Sequence, residues 1–192
     1  MRLFRRPWIW ALRFRKRKGY GVHSPFAFAF IQGVVLETAA YYAYAPLSLL
    51  HPWWVRWGQL YPMMCRRLLF RLVNYAEPKT VRLLTEDPLA KHYIRAAVPK
   101  ATELHTPAKE KGPEADFVFV EKARLNEAQA IARMMPERGM LVCEGIHKDA
   151  DSRKMWRAIQ ADEHTGVTFD LYTYGVAFFD RSLTKQHYKV NF

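Results

Sequence analysis

Cysteine is scarce in this 192-residue sequence, which contains only Cys65 and Cys143. The two lie far apart and lack the paired spacing of zinc ligands, so neither a disulfide framework nor a zinc centre is indicated. No cleavable signal peptide precedes them, and the N-terminal apolar run is too short and too charged to cross a bilayer. We therefore predict two buried, reduced thiols in a cytoplasmic protein without a metal site.

Acidic residues are almost absent from the N-terminal third. Of the 30 Lys/Arg and 18 Asp/Glu in the sequence, residues 1–71 hold 12 bases and only Glu37, a net charge of +11. The other 18 bases and 17 acids lie in residues 72–192, where the net charge is only +1. This asymmetry divides the chain into two regions. We predict a basic, aromatic, helical region over 1–78 and an α/β domain over 79–192.

The first 18 residues mix cations with large apolar side chains and predict a helix over about 8–18. Three interpretations remain open for this arm. Its aromatics can dock on the domain, it can lie on an anionic membrane surface, or it can contact nucleic-acid phosphates. Nucleic acid is the least expected partner, because the arm lacks a regular basic–aromatic strand pattern. Docking on the domain is the favoured interpretation; the alternatives are a protein partner or self-association, and attachment to an anionic membrane surface through residues 1–18.

Three further stretches of the N-terminal region have helical signals. Ser24 can cap a helix that Pro25 starts, because proline fits the first helical position. Residues 41–62 are interrupted by prolines and predict a connector with short helices. Residues 63–76 predict an amphipathic helix, with Met64 on its apolar stripe and its arginines elsewhere.

From residue 79 onward, short apolar strands alternate with helices. Strands are predicted at 80–84, 101–105, 116–120, 139–143, 167–172 and 174–179. Helices are predicted at 88–97, 125–135 and 149–161. Such alternation indicates an α/β fold with a mostly parallel sheet that is covered on both faces. Because the last two strands lie close together in the sequence, we expect them to form an antiparallel C-terminal hairpin at the edge of the sheet.

The turn after the first predicted strand has no glycine. The stretch "VRLLTEDPLAKHYIRAA" (81–97) has the outline of a nucleotide-binding turn, with an apolar strand, a tight loop and a helix. Asp87 suits the helix N-cap, and Pro88 suits the first helical position. Nucleotide-binding turns usually carry glycines, which let the backbone approach the ligand. The turn therefore predicts either a binding fold that has lost its ligand or another site of similar local shape.

Several segments together resemble the class I S-adenosylmethionine (SAM)-dependent methyltransferases, and in particular a small-molecule-type group from Bacteroidetes-type bacteria. The similar segments are "GYGVHSPFAFAFI", "RLLFRLVNYAEPKTV", "ADFVFVEKA", "GMLVCEGIHKDADSRKMWRAI" and "FDLYTYGVAFFDRSLTKQHYKVNF". The resemblance covers about residues 12–192 and implies a Rossmann-like methyltransferase fold. Only "TPAKEKGPEA" separates the second and third predicted strands, so the resemblance implies that one αβ unit of that fold is missing.

The resemblance also implies where a SAM site would lie. The family's glycine-rich turn corresponds to Thr85, Glu86 and Asp87, and its ribose-binding acid corresponds to His105. Here side chains fill the space of the glycines, and a neutral imidazole cannot bind both ribose hydroxyls as a carboxylate does. Two carboxylates would also face the cofactor's own carboxylate. We therefore expect no cofactor to bind tightly, and SAM to bind only if the protein is an enzyme.

Three titratable residues follow the third and fourth predicted strands, at the ends where such folds bind ligands. Glu121, Glu144 and His147 are candidates for an acid/base or metal cluster. The alternative, which we favour, is that they are loop residues left over from an active ancestor.

We predict a divergent methyltransferase-fold protein, a pseudoenzyme with an incomplete SAM site, that acts by binding or scaffolding. The alternative is an active SAM-dependent methyltransferase with an atypical pocket, completed by a partner chain. A nucleic-acid-binding module that uses the basic arm is a third and less favoured alternative. The glycine-free turn and the missing αβ unit favour the first interpretation over the second.

Overall fold

The computed structural model of the protein describes residues 23–57, 60–104 and 115–191. The N-terminal helices are α1 (Pro25–Phe30), continued by a π-helical segment (Ile31–Val35), α2 (Tyr44–Leu49), α3 (Trp53–Trp57) and α4 (Leu60–Ala76). The later helices are α5 (Pro88–Ala97), a 3-10 segment (Lys122–Glu127) that leads into α6 (Ala128–Ala132), and α7 (Ala150–Ala161). The strands are β1 (Thr80–Leu84), β2 (Thr102–Leu104), β3 (Phe117–Val120), β4 (Met140–Glu144), β5 (Val167–Asp170), β6 (Tyr174–Phe178) and β7 (Gln186–Lys189). The helix predicted at about 8–18 lies outside the described residues.

Side-chain caps fix the starts of two predicted helices. Ser24 accepts a hydrogen bond from the backbone N–H of Ala27 (3.3 Å), and α1 then begins with a proline. Asp87 accepts a hydrogen bond from the backbone N–H of Leu89 (2.9 Å), and α5 also begins with a proline. Each cap satisfies a backbone donor that the first helical turn leaves without a partner. Both predicted helix starts are confirmed.

The seven strands form one sheet in the order β2-β1-β3-β4-β6-β5-β7. Strands β1 to β4 are parallel, β6 is antiparallel to both β4 and β5, and β7 is parallel to β5. The predicted α/β class, with a mostly parallel sheet and an antiparallel hairpin, is confirmed. In the described part of the chain, β2 is the outer strand beside β1, and the next strand, β3, lies on the other side of β1. No further strand is added beyond β2 among the described residues, as expected for a sheet that is one αβ unit short.

Strand β7 is the element that the sequence analysis missed. Its residues, QHYK, are mostly exposed, because the strand lies at the edge of the sheet beside β5. A short polar edge strand has neither an apolar run nor a clear alternation of apolar and polar residues, so no pattern indicates it. Because β7 covers β5, the hairpin does not form the edge of the sheet.

The sheet has an apolar core on each face. In β3, Phe117 and Phe119 pack into one core, while Val118 and Val120 pack into the other. The first core includes side chains of α1, α4 and α5, and the second includes side chains of α6 and α7. This division follows from the period of two in a strand, which sends successive side chains to opposite faces. Helices of the N-terminal region thus pack on the same sheet as α5.

Helix α4 differs from its predicted pattern. It begins at Leu60, before the predicted start, and Met64 is 47% exposed rather than part of the buried stripe. Arg71, expected away from the core, is buried, with Nε donating to the carbonyl of Val34 (2.7 Å). The π-helical segment Ile31–Val35 covers this side of α4, so a side chain that the periodicity places in solvent becomes buried. Within the described ranges, no helix is both long and apolar enough to span a membrane.

Helix α6 is also shorter than predicted. The predicted helix at 125–135 is divided into a 3-10 segment and the short α6, Ala128–Ala132. The 3-10 segment extends to Glu127, with a kink at Arg124 (φ −114°, ψ 16°), and the α-helix ends at Ala132. The apolar side chains that suggested a helix still pack on the sheet, since Leu125 and Ile131 are buried.

Both cysteines are free and buried, as the sequence predicted. Burial raises the pKa of the Cys65 thiol above its ordinary value, and it raises that of Cys143 further. Thiols with raised pKa values in apolar surroundings react poorly as nucleophiles. Neither cysteine is therefore a candidate for nucleophilic chemistry.

Candidate functional site

The order in which the chain adds strands to the sheet reverses between β1 and β3. Strand β1 lies between β2 and β3. The chain passes from β1 to β2 through α5, which packs on one face of the sheet. It passes from β3 to β4 through α6, which packs on the other face. In open α/β sheets a crevice forms at the carboxyl ends of the strands at such a point. Thr85 follows β1, Glu121 follows β3 and Glu144 ends β4. The structure therefore brings a residue of the predicted SAM turn, Thr85, and two of the predicted acid/base candidates, Glu121 and Glu144, to one edge of the sheet.

The turn after β1 is bonded to the carboxylate that follows β3. The Thr85 hydroxyl donates to Oε2 of Glu121 (2.5 Å), and the backbone N–H of Glu86 donates to the same oxygen (2.9 Å). The Asp87 N–H donates to Oγ1 of Thr85 (3.0 Å). The Thr85 hydrogen bond, with those of the backbone, lowers the pKa of Glu121 below its usual value. The Thr85 hydroxyl and the backbone N–H groups of Glu86 and Asp87 are therefore already paired within the chain.

The turn needs no glycine in this conformation. Asp87 has φ −70° and extended backbone. In the described part of the chain, the non-glycine residues with positive φ are Glu77, Arg138 and Tyr172, none of which belongs to the turn. Glycine is required where φ is positive or where a ligand approaches the backbone closely. The absence of glycine at 85–87 thus matches a turn that follows an ordinary backbone path.

Arg66 of α4 links the other acidic residues of this edge. Its Nη2 lies 2.5 Å from Oδ2 of Asp87, and its Nη1 lies 3.2 Å from Oε1 of Glu144. Nη1 also donates to the hydroxyl of Tyr174 (3.0 Å), whose side chain is fully buried. No sequence pattern indicated Arg66 or Tyr174 as site residues. An arginine beside the apolar stripe of a helix normally faces solvent, and a tyrosine in an apolar strand normally belongs to the core.

The charges around Arg66 are strongly coupled. Burial alone would lower the pKa of Arg66, but the neighbouring Tyr174, Glu144 and Asp87 raise it above its ordinary value. Burial raises the pKa of Glu144, although Arg66 opposes that effect. A cation that contacts two carboxylates and a buried hydroxyl in a region with little water is held firmly in place. The arrangement resembles a structural clamp more than an open catalytic centre.

His147 belongs to a different group of side chains. Its Nε2 lies 2.7 Å from Oδ2 of the buried Asp170, and its ring stacks on Tyr172 with centroids 5.3 Å apart. The candidates Glu121, Glu144 and His147 are therefore held by different partners and do not form one cluster. Among the described residues, no group of three His, Cys, Asp or Glu side chains could hold a metal ion.

His105, the predicted counterpart of a ribose-binding acid, lies outside the described residues, so the interpretation of that position stays a prediction.

The positions that are described define a class of protein. The chain is an α/β protein of Rossmann-like architecture, and the edge of its sheet at the carboxyl ends of β1, β3 and β4 carries hydrogen bonds and ion pairs among its own side chains.

No protein-family model matches this chain, and no curated protein matches it. Solved structures that resemble it are methyltransferases. A methyltransferase from Geobacter sulfurreducens is 10% identical and aligns 82% of this chain with 97% of its own, with a TM-score of 0.49. The SAH-bound Podospora anserina methyltransferase PaMTH1 is 10% identical over 83% of this chain and 97% of its own, with a TM-score of 0.45. The O-methyltransferase TomG from Streptomyces achromogenes, solved with SAM, is 11% identical over 78% of this chain and 95% of its own, with a TM-score of 0.45.

Proposed function

We propose that this chain is a divergent methyltransferase-fold protein with an incomplete SAM site, and that it acts by binding or scaffolding rather than by methyl transfer. One observation carries the proposal. The Glu121 carboxylate accepts hydrogen bonds from both Thr85 and Glu86 at the turn where a nucleotide-type fold presents backbone to its ligand. A ligand would have to displace an internal carboxylate that is already satisfied.

Steric filling, charge repulsion and the loss of the internal hydrogen bonds of Glu121 oppose SAM at this turn. Side chains at Thr85, Glu86 and Asp87 take up space that glycines would leave open. The carboxylates of Glu86, Asp87 and Glu121 would repel the carboxylate of the ligand, since like charges close together are unfavourable. Each clash or broken hydrogen bond costs about 1–3 kcal/mol. Together these effects reduce a micromolar affinity, about 8 kcal/mol, toward a millimolar one, about 4 kcal/mol.

Calorimetric titration of the full chain with SAM and S-adenosylhomocysteine tests the proposal. We expect a dissociation constant no tighter than about 1 mM for either ligand. In Glu121→Ala the turn loses its internal acceptor and one repelling charge, so binding should tighten relative to wild type. Glu103→Ala is the matched control, because Glu103 pairs with Arg95 (2.8 Å) on the outer strand β2 and not with the turn. A micromolar constant for the wild-type chain would contradict the proposal.

Such a result would favour the alternative function, an active methyltransferase whose pocket is completed by a partner chain. The observation in favour of this alternative is Glu144, at the carboxyl end of β4, whose pKa is raised by burial. A carboxyl group with a raised pKa near a ligand-binding edge is suited to general acid or base chemistry. Its ion pair with Arg66 (3.2 Å) argues for the structural role instead.

The contact surface that we propose for the binding role is the basic, aromatic region 1–71. Its described part exposes large apolar side chains around α3, with Leu49, Trp53, Trp54 and Leu60 all at least half exposed. An exposed apolar patch of this kind is uncommon without a partner. Tryptophans beside an excess of Lys/Arg suit either an anionic membrane surface or an acidic protein.

Co-sedimentation with anionic liposomes tests the membrane form of this proposal. We expect the full chain to bind and a variant without residues 1–18 to bind less. Binding should weaken as the Debye length shrinks from about 10 Å at 0.1 M salt to about 3 Å at 1 M. Trp53→Ala tests the described patch separately from the arm. Equal recovery of all variants on anionic and neutral liposomes would count against a membrane role and leave a protein partner as the alternative.

A further inference from the structure

A cavity of about 450 Å³ lies between the segment 35–39 and helix α4. This volume is within the range of small-molecule sites. The side chains that line it include three apolar ones and three charged ones: Val35, Leu36, Met64, Glu37, Arg67 and Arg71. A cavity with apolar walls and a few charged groups is the usual form of a site for a small organic ion.

Arg67 is the charged group of this cavity that lacks a polar partner. Its guanidinium lies over the ring of Tyr44, with Cζ 4.8 Å from the ring centroid. Its Nε is buried and has no hydrogen-bond partner among the described residues. The aromatic ring holds the cation by a cation–π interaction but accepts no conventional hydrogen bond from Nε. Because Arg67 lines the cavity and none of the described carboxylates forms an ion pair with it, an anion in the cavity would be stabilised by its charge.

Arg71 adds a second, fixed positive charge. Its Nε and Nη2 donate to the carbonyls of Val34 (2.7 Å) and Val35 (3.1 Å), and its Nη1 donates to the Tyr44 hydroxyl (3.3 Å). These contacts fix the guanidinium without neutralising it. Glu37 is the carboxylate among the lining residues, and its Oε1 accepts the backbone N–H of Ala39 (2.6 Å). Two guanidiniums and one carboxylate leave a surplus of one positive charge along the described lining.

We infer that this cavity binds a small organic monocarboxylate, with the carboxylate at Arg67 and the apolar body against Val35, Leu36 and Met64. A single negative charge matches the surplus of one positive charge. Inorganic phosphate, with a second negative charge near Glu37 and no apolar body, fits the lining less well. Arg67 and Arg66 are successive residues of α4 with different neighbours, so this site is separate from the turn after β1.

The test is calorimetric titration of the full chain with acetate, butyrate, hexanoate and inorganic phosphate. We expect saturable binding that tightens from acetate to hexanoate, by up to about fourfold for each methylene buried. Phosphate should bind more weakly than hexanoate. In Arg67→Gln, hexanoate affinity should fall by about tenfold or more, since a hydrogen bond to a charged group is lost.

Controls separate a lost site from a damaged fold. Arg67→Gln loses the cation–π contact with Tyr44, worth about 0.5–1 kcal/mol, so its thermal unfolding should stay cooperative with only a small decrease of the melting temperature. Met64→Glu puts a negative charge at a half-exposed wall of the cavity and should also weaken hexanoate binding. Arg153→Gln, an exposed arginine on α7, should leave binding unchanged.

Three outcomes would overturn the inference: no saturable binding of hexanoate by the wild type at millimolar concentration, equal affinities for acetate and hexanoate, or equal hexanoate affinity in wild type and Arg67→Gln. None of them depends on whether SAM binds at the turn after β1.

Discussion

Replacing Arg66 by methionine should destabilise the fold by about 3–4 kcal/mol. The variant leaves Glu144, whose side chain is 18% exposed, without its cation at 3.2 Å, and breaking a buried pair of this kind costs about 3–5 kcal/mol. It also removes the donor to the hydroxyl of the buried Tyr174, worth about 1–3 kcal/mol. The partial exposure of Glu144 and the new apolar contacts of methionine reduce this sum. The pair with the more exposed Asp87 adds at most about 1 kcal/mol.

Urea and thermal denaturation followed by circular dichroism measure this loss. For a chain of this size, about 2–4 °C of melting temperature corresponds to each kcal/mol, so the melting temperature should fall by roughly 6–16 °C. Arg95→Met is the matched control. Its pair with Glu103 joins an arginine side chain that is 55% exposed to a carboxylate on β2, and its loss should cost less than about 1 kcal/mol.

A second substitution and a change of pH sharpen the test. Adding Glu144→Gln to Arg66→Met should recover part of the stability, because it removes the unpaired carboxylate. The single variant should also lose more stability at about pH 8 than at about pH 5. Burial raises the pKa of Glu144 and Arg66 opposes that rise, so loss of Arg66 raises the folded-state pKa further. The stability that the protonated carboxyl contributes is complete below the unfolded pKa and is lost as the pH rises through the folded pKa, and this loss is larger in the variant. A loss equal to that of Arg95→Met at both pH values would refute this reasoning.

Two further predictions follow from the packing and from a buried histidine. Gly175→Ala should destabilise the protein by about 1–3 kcal/mol in urea denaturation, because a Cβ would lie 2.7 Å from the Trp156 ring. Gly33→Ala, where nothing lies within 4 Å, should be neutral or stabilising by up to about 1 kcal/mol; a comparable loss in both variants would show that crowding is not the cause. His51 is buried against the Tyr93 hydroxyl (3.0 Å), and burial, with Arg66 and Arg67, lowers its pKa. Its folded pKa therefore lies below its unfolded one, so stability should fall as the pH drops below about 6.5. In His51→Gln that decrease should be smaller, and an unchanged pH profile would contradict this assignment.

Much of the fold could be predicted from local patterns. The starts of α1 and α5 were predicted because a capping side chain and a following proline act within a few residues of each other. Strands β3 and β4 of the parallel part of the sheet were predicted because buried strands are continuous apolar runs. Strand β7 could not be found in this way, since an exposed edge strand has no such run.

Within the site, the sequence by itself determined which residues follow the carboxyl ends of β1, β3 and β4, because strand ends can be located from neighbouring residues. Only the tertiary structure decided what those residues contact. Glu121 bonds to a turn 35 positions earlier, and Arg66 reaches Tyr174 across 108 positions. Contacts over such separations depend on how the helices and strands pack, and helical periodicity alone places both Arg66 and Arg71 in solvent. The buried arginines of α4, one in the clamp and one beside the cavity, therefore emerge only when the N-terminal helices lie against the sheet.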